Sequence, residues 1–137
     1  MKVFVYGTLM PGCDNWSMVK DHVKEYKPAK IAAELFHLPY GYPAVREGQG
    51  EVYGYVLELA DEILPIIDEY EGYYAPGKDN FYEKKNLTIT YTETGDTDEA
   101  LVYIFEGYRA QELNEIGIFI PSGNWQEFIT HQNYISA

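Results

Sequence analysis

Cysteine is almost missing from this 137-residue chain: Cys13 stands alone, so no internal disulfide can form. A single thiol suits a reducing compartment. Positive charge is also scarce. Ten lysines and arginines face 22 aspartates and glutamates, for a net charge of −12. Nucleic-acid binding needs a basic footprint, and the scattered lysines make none. The same imbalance disfavours anionic membranes. No apolar run approaches a membrane span, and the N-terminus lacks a charged-then-apolar leader pattern. A soluble cytoplasmic protein is the expectation.

Motifs of the common chemistries are missing too. There is no His-x-x-x-His, Cys-x-x-Cys or EF-hand pattern, no G-x-S-x-G, and no Walker loop, since GTLMPG lacks both its spacing and its lysine. His22, His37 and His131 are dispersed over a predicted helix, a predicted strand and the C-terminal region, and read as structural or surface residues. No neighbour of Cys13 would lower its pKa. The acidic Asp96, Asp98 and Glu99 resemble a weak calcium loop, but a solvated hairpin turn explains them with fewer assumptions. No cofactor and no metal are expected.

Aromatic residues, by contrast, are abundant, at 16% with fourteen tyrosines. Tyr favours strands, which explains most of the surplus. Its amphipathic ring also suits a wet cavity or an interface. The length predicts one domain over residues 1–137, large enough for a real core.

Met1 to Tyr6 reads as a buried strand with Val3, Phe4 and Val5 contiguous. Asp14 or Asn15 could cap a helix to about Tyr26, because Trp16, Val19, Val23 and Tyr26 recur at helical spacing. Residues 29–38 and 42–46 read as short extended pieces, and EVYGYVLEL, 51–59, as an alternating strand. DEILPIIDEYEG opens a short helix at Asp61, with Pro65 tolerable in its first turn and Gly72 just past its end. Leu87 to Tyr91, the turn TGDTDE and the strand ALVYIFEGY form a hairpin. Asn124 caps a last helix, with Glu127 three residues on. The order predicts an α+β fold: a small mixed β-barrel or strongly curved sheet with a few peripheral helices.

One acidic residue breaks its own pattern. At about 100° per residue, Ile63, Leu64, Ile66, Ile67 and Tyr70 form an apolar arc. Glu69 falls opposite that arc, as a surface carboxylate should, whereas Glu71 falls inside it. A core-facing glutamate is costly unless paired or protonated. Its place in the last turn, at the negative end of the helix dipole, favours the protonated form further. A carboxyl moved toward neutral pKa is what a general acid/base needs. The alternative is a helix that ends one residue earlier, with Glu71 turned into solvent.

VFVYGTLMPG opens the chain as a strand followed by a Gly-rich loop. YGTL after an initial strand, followed by GYPAVRE, EVYGYVLEL, IIDEYEGY and a later Tyr-x-basic segment, resembles the γ-glutamylcyclotransferase superfamily. The nearest likeness is to its small γ-glutamylamine cyclotransferase-like branch, over nearly the whole chain. The resemblance implies a small barrel with a cavity at one end. It implies that Tyr6, Gly7, Thr8 and Leu9 form the pocket for a γ-glutamyl group. It implies that the glutamate before Gly in D-x-x-E-G, here Glu71, is catalytic, as general acid/base in the release of 5-oxoproline from a small-molecule γ-glutamyl amine or γ-glutamyl amino acid. Arg46 is a candidate partner for a substrate carboxylate, or else pairs with Glu47 or Glu51. The chain departs from the family's Tyr-x-Arg, having Tyr82, Glu83 and Lys84. Lysine cannot make a planar bidentate fork. Two other readings stand beside this one: another γ-glutamyl-removing enzyme on the same fold, and a non-catalytic small-ligand-binding or interaction module.

Overall fold

The computed structural model describes residues 1–136. Five strands close into a barrel. β1 (Lys2–Val5) lies between β3 (Pro43–Leu59) and β5 (Thr97–Ile104), antiparallel to the first and parallel to the second. β5 pairs antiparallel with β4 (Glu83–Tyr91), and β4 with β2 (Val23–His37). β2 then returns to β3 along a register that runs from Val23↔Leu59 to His37↔Pro43. Closure leaves none of the five with a long bare edge. A two-residue strand, β6 (Ile118–Phe119), adds to the end of β2 at Phe36 and His37. Three helices complete the fold: α1 (Leu64–Tyr70), α2 (Tyr108–Ile116) and α3 (Trp125–Ser136). The expected α+β barrel is what forms.

The core follows the strand pattern. Val3, Phe4, Leu35, Val52, Leu57, Leu59, Ile89, Val102 and Ile104 are all at most 1% exposed. The 42–46 and 51–59 segments are one strand rather than two. A register shift between Ala32↔Glu51 and Ala33↔Glu47 places a bulge at residues 48–50. A Cβ on Gly50 would come within 2.9 Å of the Ala33 carbonyl. The Gly-Gln-Gly stretch, which resembles a turn in sequence, therefore bends a continuous strand.

Two other expectations change. The helix expected from Asp14 or Asn15 to Tyr26 is absent. Two short 3-10 turns, Trp16–Met18 and Lys20–His22, stand there, and β2 begins at Val23. The apolar spacing is real, since Val19 is fully buried. The turns satisfy it, while Val, Tyr and the residues after them extend to pair with β3. Conversely, β5 ends at Ile104, and α2 follows Gly107, whose φ is +60°. The strand expected over ALVYIFEGY thus stops short of Gly107, and a helix opens at its last residue, Tyr108.

Strand polarity fixes one end of the barrel. The C-terminal ends of the parallel β1 and β5 and the starts of the antiparallel β3 and β4 all meet there. The C-terminus of α1 arrives at the same end.

Candidate active site

That end holds a cavity of about 150 Å³. Tyr6, Gly7, Thr8 and Leu9 form one wall, and Tyr42 and Pro43 another. Tyr70, Glu71, Phe81, Tyr82 and Tyr103 line it further, with Phe4 and Val5 of β1. The opening loop and Glu71, 62 residues apart for Leu9, thus face one space.

Glu71 reaches it through the way α1 stops. The helix ends at Tyr70, one residue earlier than its pattern, yet Glu71 keeps right-handed helical backbone angles and its amide still donates to the Ile67 carbonyl at 2.9 Å. Gly72, at φ +69°, then reverses the chain. Its amide donates to the Glu69 carbonyl at 3.1 Å, and the Tyr73 amide to the Asp68 carbonyl at 2.8 Å. These two bonds are the Schellman termination, which needs a residue tolerant of positive φ. A Cβ at Gly72 would also sit 2.8 Å from the Phe81 Cβ. Ile63 and Ile67 are buried, and Glu71 continues their i, i+4 line. Glu69 is exposed, as expected. Ile66 and Tyr70, placed in the apolar arc by sequence, are 50% and 41% exposed instead.

The electrostatics set Glu71 apart. Burial raises its pKa from 4.5 to about 8. Among the described residues it has no ion pair, and no Lys, Arg or His lines the cavity. Burial also raises the phenols of Tyr6, Tyr82 and Tyr103, with the Glu71 charge adding to each.

The opening loop is braced against the helix end. Thr8 Oγ1 shares a 2.6 Å hydrogen bond with the Tyr70 hydroxyl, which also accepts from Asn15 Nδ2 at 2.5 Å. The Met10 amide closes a turn onto the Gly7 carbonyl at 3.0 Å, and the Asn15 amide reaches the Thr8 carbonyl at 2.9 Å. The amides of Gly7, Thr8 and Leu9 donate to no backbone carbonyl among the described residues. Gly7 has ordinary negative φ, so its lack of a side chain serves close approach: a Cβ would meet the Pro43 ring at 2.8 Å.

The remaining candidates lie elsewhere. Arg46 is outside the cavity lining: its Nε donates to Glu34 at 2.8 Å and Nη1 to the Ala110 carbonyl at 2.9 Å. The expected alternatives Glu47 and Glu51 pair with Lys85 and Lys30 instead. Lys84, the departure from Tyr-x-Arg, is a half-buried residue of β4 outside the cavity wall. It spans both Asp68 oxygens at 3.1 and 3.0 Å and lies over the Tyr73 ring. His37 accepts from Trp125 Nε1 at 3.1 Å, a structural contact, and burial lowers its pKa. Burial raises the Cys13 thiol. Asp98 accepts from Lys2 and Tyr91. Among the described residues no three His, Cys, Asp or Glu side chains gather as metal ligands would. Sequence reading missed the roles of Tyr82 and Tyr103 in the wall. Tyr82 lies just before β4 and Tyr103 alternates out of phase with Ala100, Val102 and Ile104, so strand periodicity marks neither as a wall residue.

Residues 3–127 match the family described as gamma-glutamyl cyclotransferase, AIG2-like. The chain belongs to this family. The chain is also similar to the gamma-L-glutamyl-butirosin B gamma-glutamyl cyclotransferase of Niallia circulans. The two are 32% identical over 104 residues, 75% of this chain and 65% of that protein's length. Among solved structures, YkqA from Bacillus subtilis superposes with a TM-score of 0.70 at 24% identity, over 97% of this chain but only 42% of that one. An AIG2-like protein from Mus musculus gives 0.64 at 24% identity, over 88% and 85% of the two chains. These two likenesses establish the γ-glutamyl cyclotransferase-type fold. No helix among the described residues is long and apolar enough to cross a membrane.

Proposed function

We propose that this protein cyclises γ-glutamyl amines or γ-glutamyl amino acids to 5-oxoproline and the free amine, with Glu71 as general acid/base. The observation that carries the proposal is the shared cavity. A carboxyl with its pKa raised to about 8 faces the loop whose amides are free to bind an oxyanion. Family membership and the 32% identity to a cyclotransferase support the reaction class.

The reaction is intramolecular. The α-amine attacks its own γ-carbonyl carbon, a five-membered ring closes, and the C–N bond to the distal amine breaks. The α-ammonium must first lose a proton, which the Glu71 carboxylate takes. The carbonyl oxygen gains negative charge as the ring closes, and the Gly7, Thr8 and Leu9 amides stabilise it. Glu71 then returns its proton to the leaving amine. Ring closure leaves a second proton on the attacking nitrogen. The regenerated Glu71 carboxylate takes it as the C–N bond breaks and passes it to the departing amine, which leaves as ammonium. The two protons lost by the α-nitrogen are thus the two gained by the leaving nitrogen, with no water, metal or redox partner in the step. Cavity shape does the rest, bending the flexible glutamyl chain until amine and carbonyl meet. Tyr6, Tyr42, Tyr82 and Phe81 provide rigid walls for that.

The test is turnover on a panel of γ-glutamyl amines, γ-glutamyl dipeptides and γ-glutamyl-ε-lysine, followed as 5-oxoproline release. One reactive class would name the substrate. Product from none would favour a binding module over an enzyme. Glu71→Gln should abolish release with the fold intact, and wild-type turnover by that variant would remove Glu71 from the mechanism.

A further inference from the structure

Three tyrosines of the cavity wall have their hydroxyl protons committed elsewhere. Tyr6 donates to the Tyr103 carbonyl at 2.6 Å, and Tyr82 to the Pro43 carbonyl at 2.5 Å. Tyr103 donates to Asp68 Oδ1 at 2.5 Å. A carbonyl or carboxylate oxygen only accepts, so each bond has a fixed direction. A phenol has one proton to give. What each oxygen retains is lone pairs. No cation lines the cavity among the described residues, so these three tyrosines give it an acceptor surface, distinct from the donor amides of Gly7, Thr8 and Leu9.

The first two acceptors are backbone carbonyls, whose polarity no side-chain change reverses. The third is a side chain. Lys84 keeps it an acceptor by spanning both Asp68 oxygens, with its ammonium seated 4.6 Å from the centre of the Tyr73 ring. Asp68 precedes Glu71 by three positions, in the last turn of α1 and at its C-cap respectively, so the same helix end carries both groups.

We propose that Asp68, paired with Lys84, is a positioning residue. It takes the Tyr103 hydroxyl proton and so makes that phenol an acceptor for the ligand's α-ammonium. This rests on the γ-glutamyl reading of the cavity and adds to it where the cationic nitrogen sits. Tyr103 holds the ammonium while Glu71, on the same cavity, receives its proton.

Asp68→Asn tests the polarity. Facing Lys84, an asparagine turns its oxygen to the lysine and its NH₂ to Tyr103. The phenol must then accept from that NH₂, and its O–H swings toward the ligand's ammonium. Tyr103→Phe deletes the oxygen altogether. Calorimetry in the Glu71→Gln background measures binding without turnover, using γ-glutamyl-n-butylamide and its deamino analogue, 5-(butylamino)-5-oxopentanoate. Either added substitution should weaken the first ligand about tenfold and change the second less than about twofold. The two together should be no worse than Tyr103→Phe alone. Adding Lys84→Met to Asp68→Asn frees the asparagine oxygen for Tyr103 and should recover most of the lost affinity. Equal weakening of both ligands, weakening of neither, or no rescue overturns the assignment. So does a failure of both ligands to bind, which would also remove the γ-glutamyl reading. Binding with the expected contrast, but no 5-oxoproline from the unsubstituted protein, would remove the reaction and leave the assignment of Asp68.

Discussion

Glu71 and Asp98 are two carboxyls on one barrel, and their surroundings drive them in opposite directions. Glu71 faces a cavity that offers it no cation, and burial pushes its pKa up to about 8. Asp98, on the hairpin formed by β4 and β5, accepts from Lys2, from its neighbour's amide at 2.8 Å and from Tyr91 at 2.9 Å, and falls to about 2. The chain's net charge of −12 acts on both, so net charge does not decide the matter. Local donors do. Where the fold supplies them, a carboxylate is a structural clasp. Where it withholds them, the same group holds a proton near neutral pH and can pass it on.

The sharpest way to break the comparison is Glu71→Gln, expected to lower kcat/KM for 5-oxoproline release by at least about 10²–10⁴. Asp98→Asn should leave that rate unchanged. A comparable loss from both would mean that the activity depends on general acidity rather than on the cavity.

The pH profile comes next. The proposed mechanism requires Glu71 as carboxylate in the free protein to accept the ammonium proton, so kcat/KM should rise with pH and level off above about 8. A rising limb near 4.5 would place an ordinary, solvated carboxyl in charge.

The same titration bears on stability with a definite sign. The folded pKa of Glu71 lies above its unfolded value, so the native state holds the proton more tightly. Stability is therefore lost as pH rises from 4.5 to about 8 and changes no further above that. At about 1.4 kcal/mol per unit, the cost at pH 9 has a ceiling of roughly 5 kcal/mol, and the carboxyl's access to the cavity mouth reduces it. Glu71→Gln should thus stabilise the protein more at pH 9 than at pH 5, read as the difference in Tm. Asp98 has the opposite sign. Its depressed pKa adds stability above the ordinary carboxylate range that is lost as pH falls toward 2. Asp98→Asn should lower Tm slightly at pH 7 and not at all at pH 2.

The smallest effect belongs to Glu69→Gln. Glu69 is exposed on the same helix, two residues before Glu71, and its loss should leave both rate and Tm within error. A marked loss of rate would show that α1 presents its other face to the substrate.

Legibility in the sequence varied by region for physical reasons. The barrel strands were readable because alternation and β-branched residues mark a half-buried strand whatever it pairs with. Residues 14–26 mislead because Trp16, Val19 and Val23 sit at helical spacing for burial, while 3-10 turns hold residues 16–22 and pairing with β3 extends the chain from Val23. Ile66 and Tyr70 fall in the apolar arc, yet of that arc the barrel buries Ile63 and Ile67 and leaves Leu64 and Glu71 half-buried. Tyr70 is exposed where it braces Thr8 and Asn15, a contact between residues 62 and 55 positions apart that no local pattern encodes.

By itself the sequence determined the cores of the main strands but not their ends, the termination of α1 at Gly72 and the oddity of a glutamate on a core-facing line. These are local matters of backbone angle and periodicity. Only the tertiary structure decided that Glu71 faces the loop at residues 6–9, that Lys84 serves Asp68, and that Arg46 is spent on Glu34. Those outcomes depend on closure of the barrel. Strand pairing across long separations determines which side chains share a cavity and which cations reach which carboxylates.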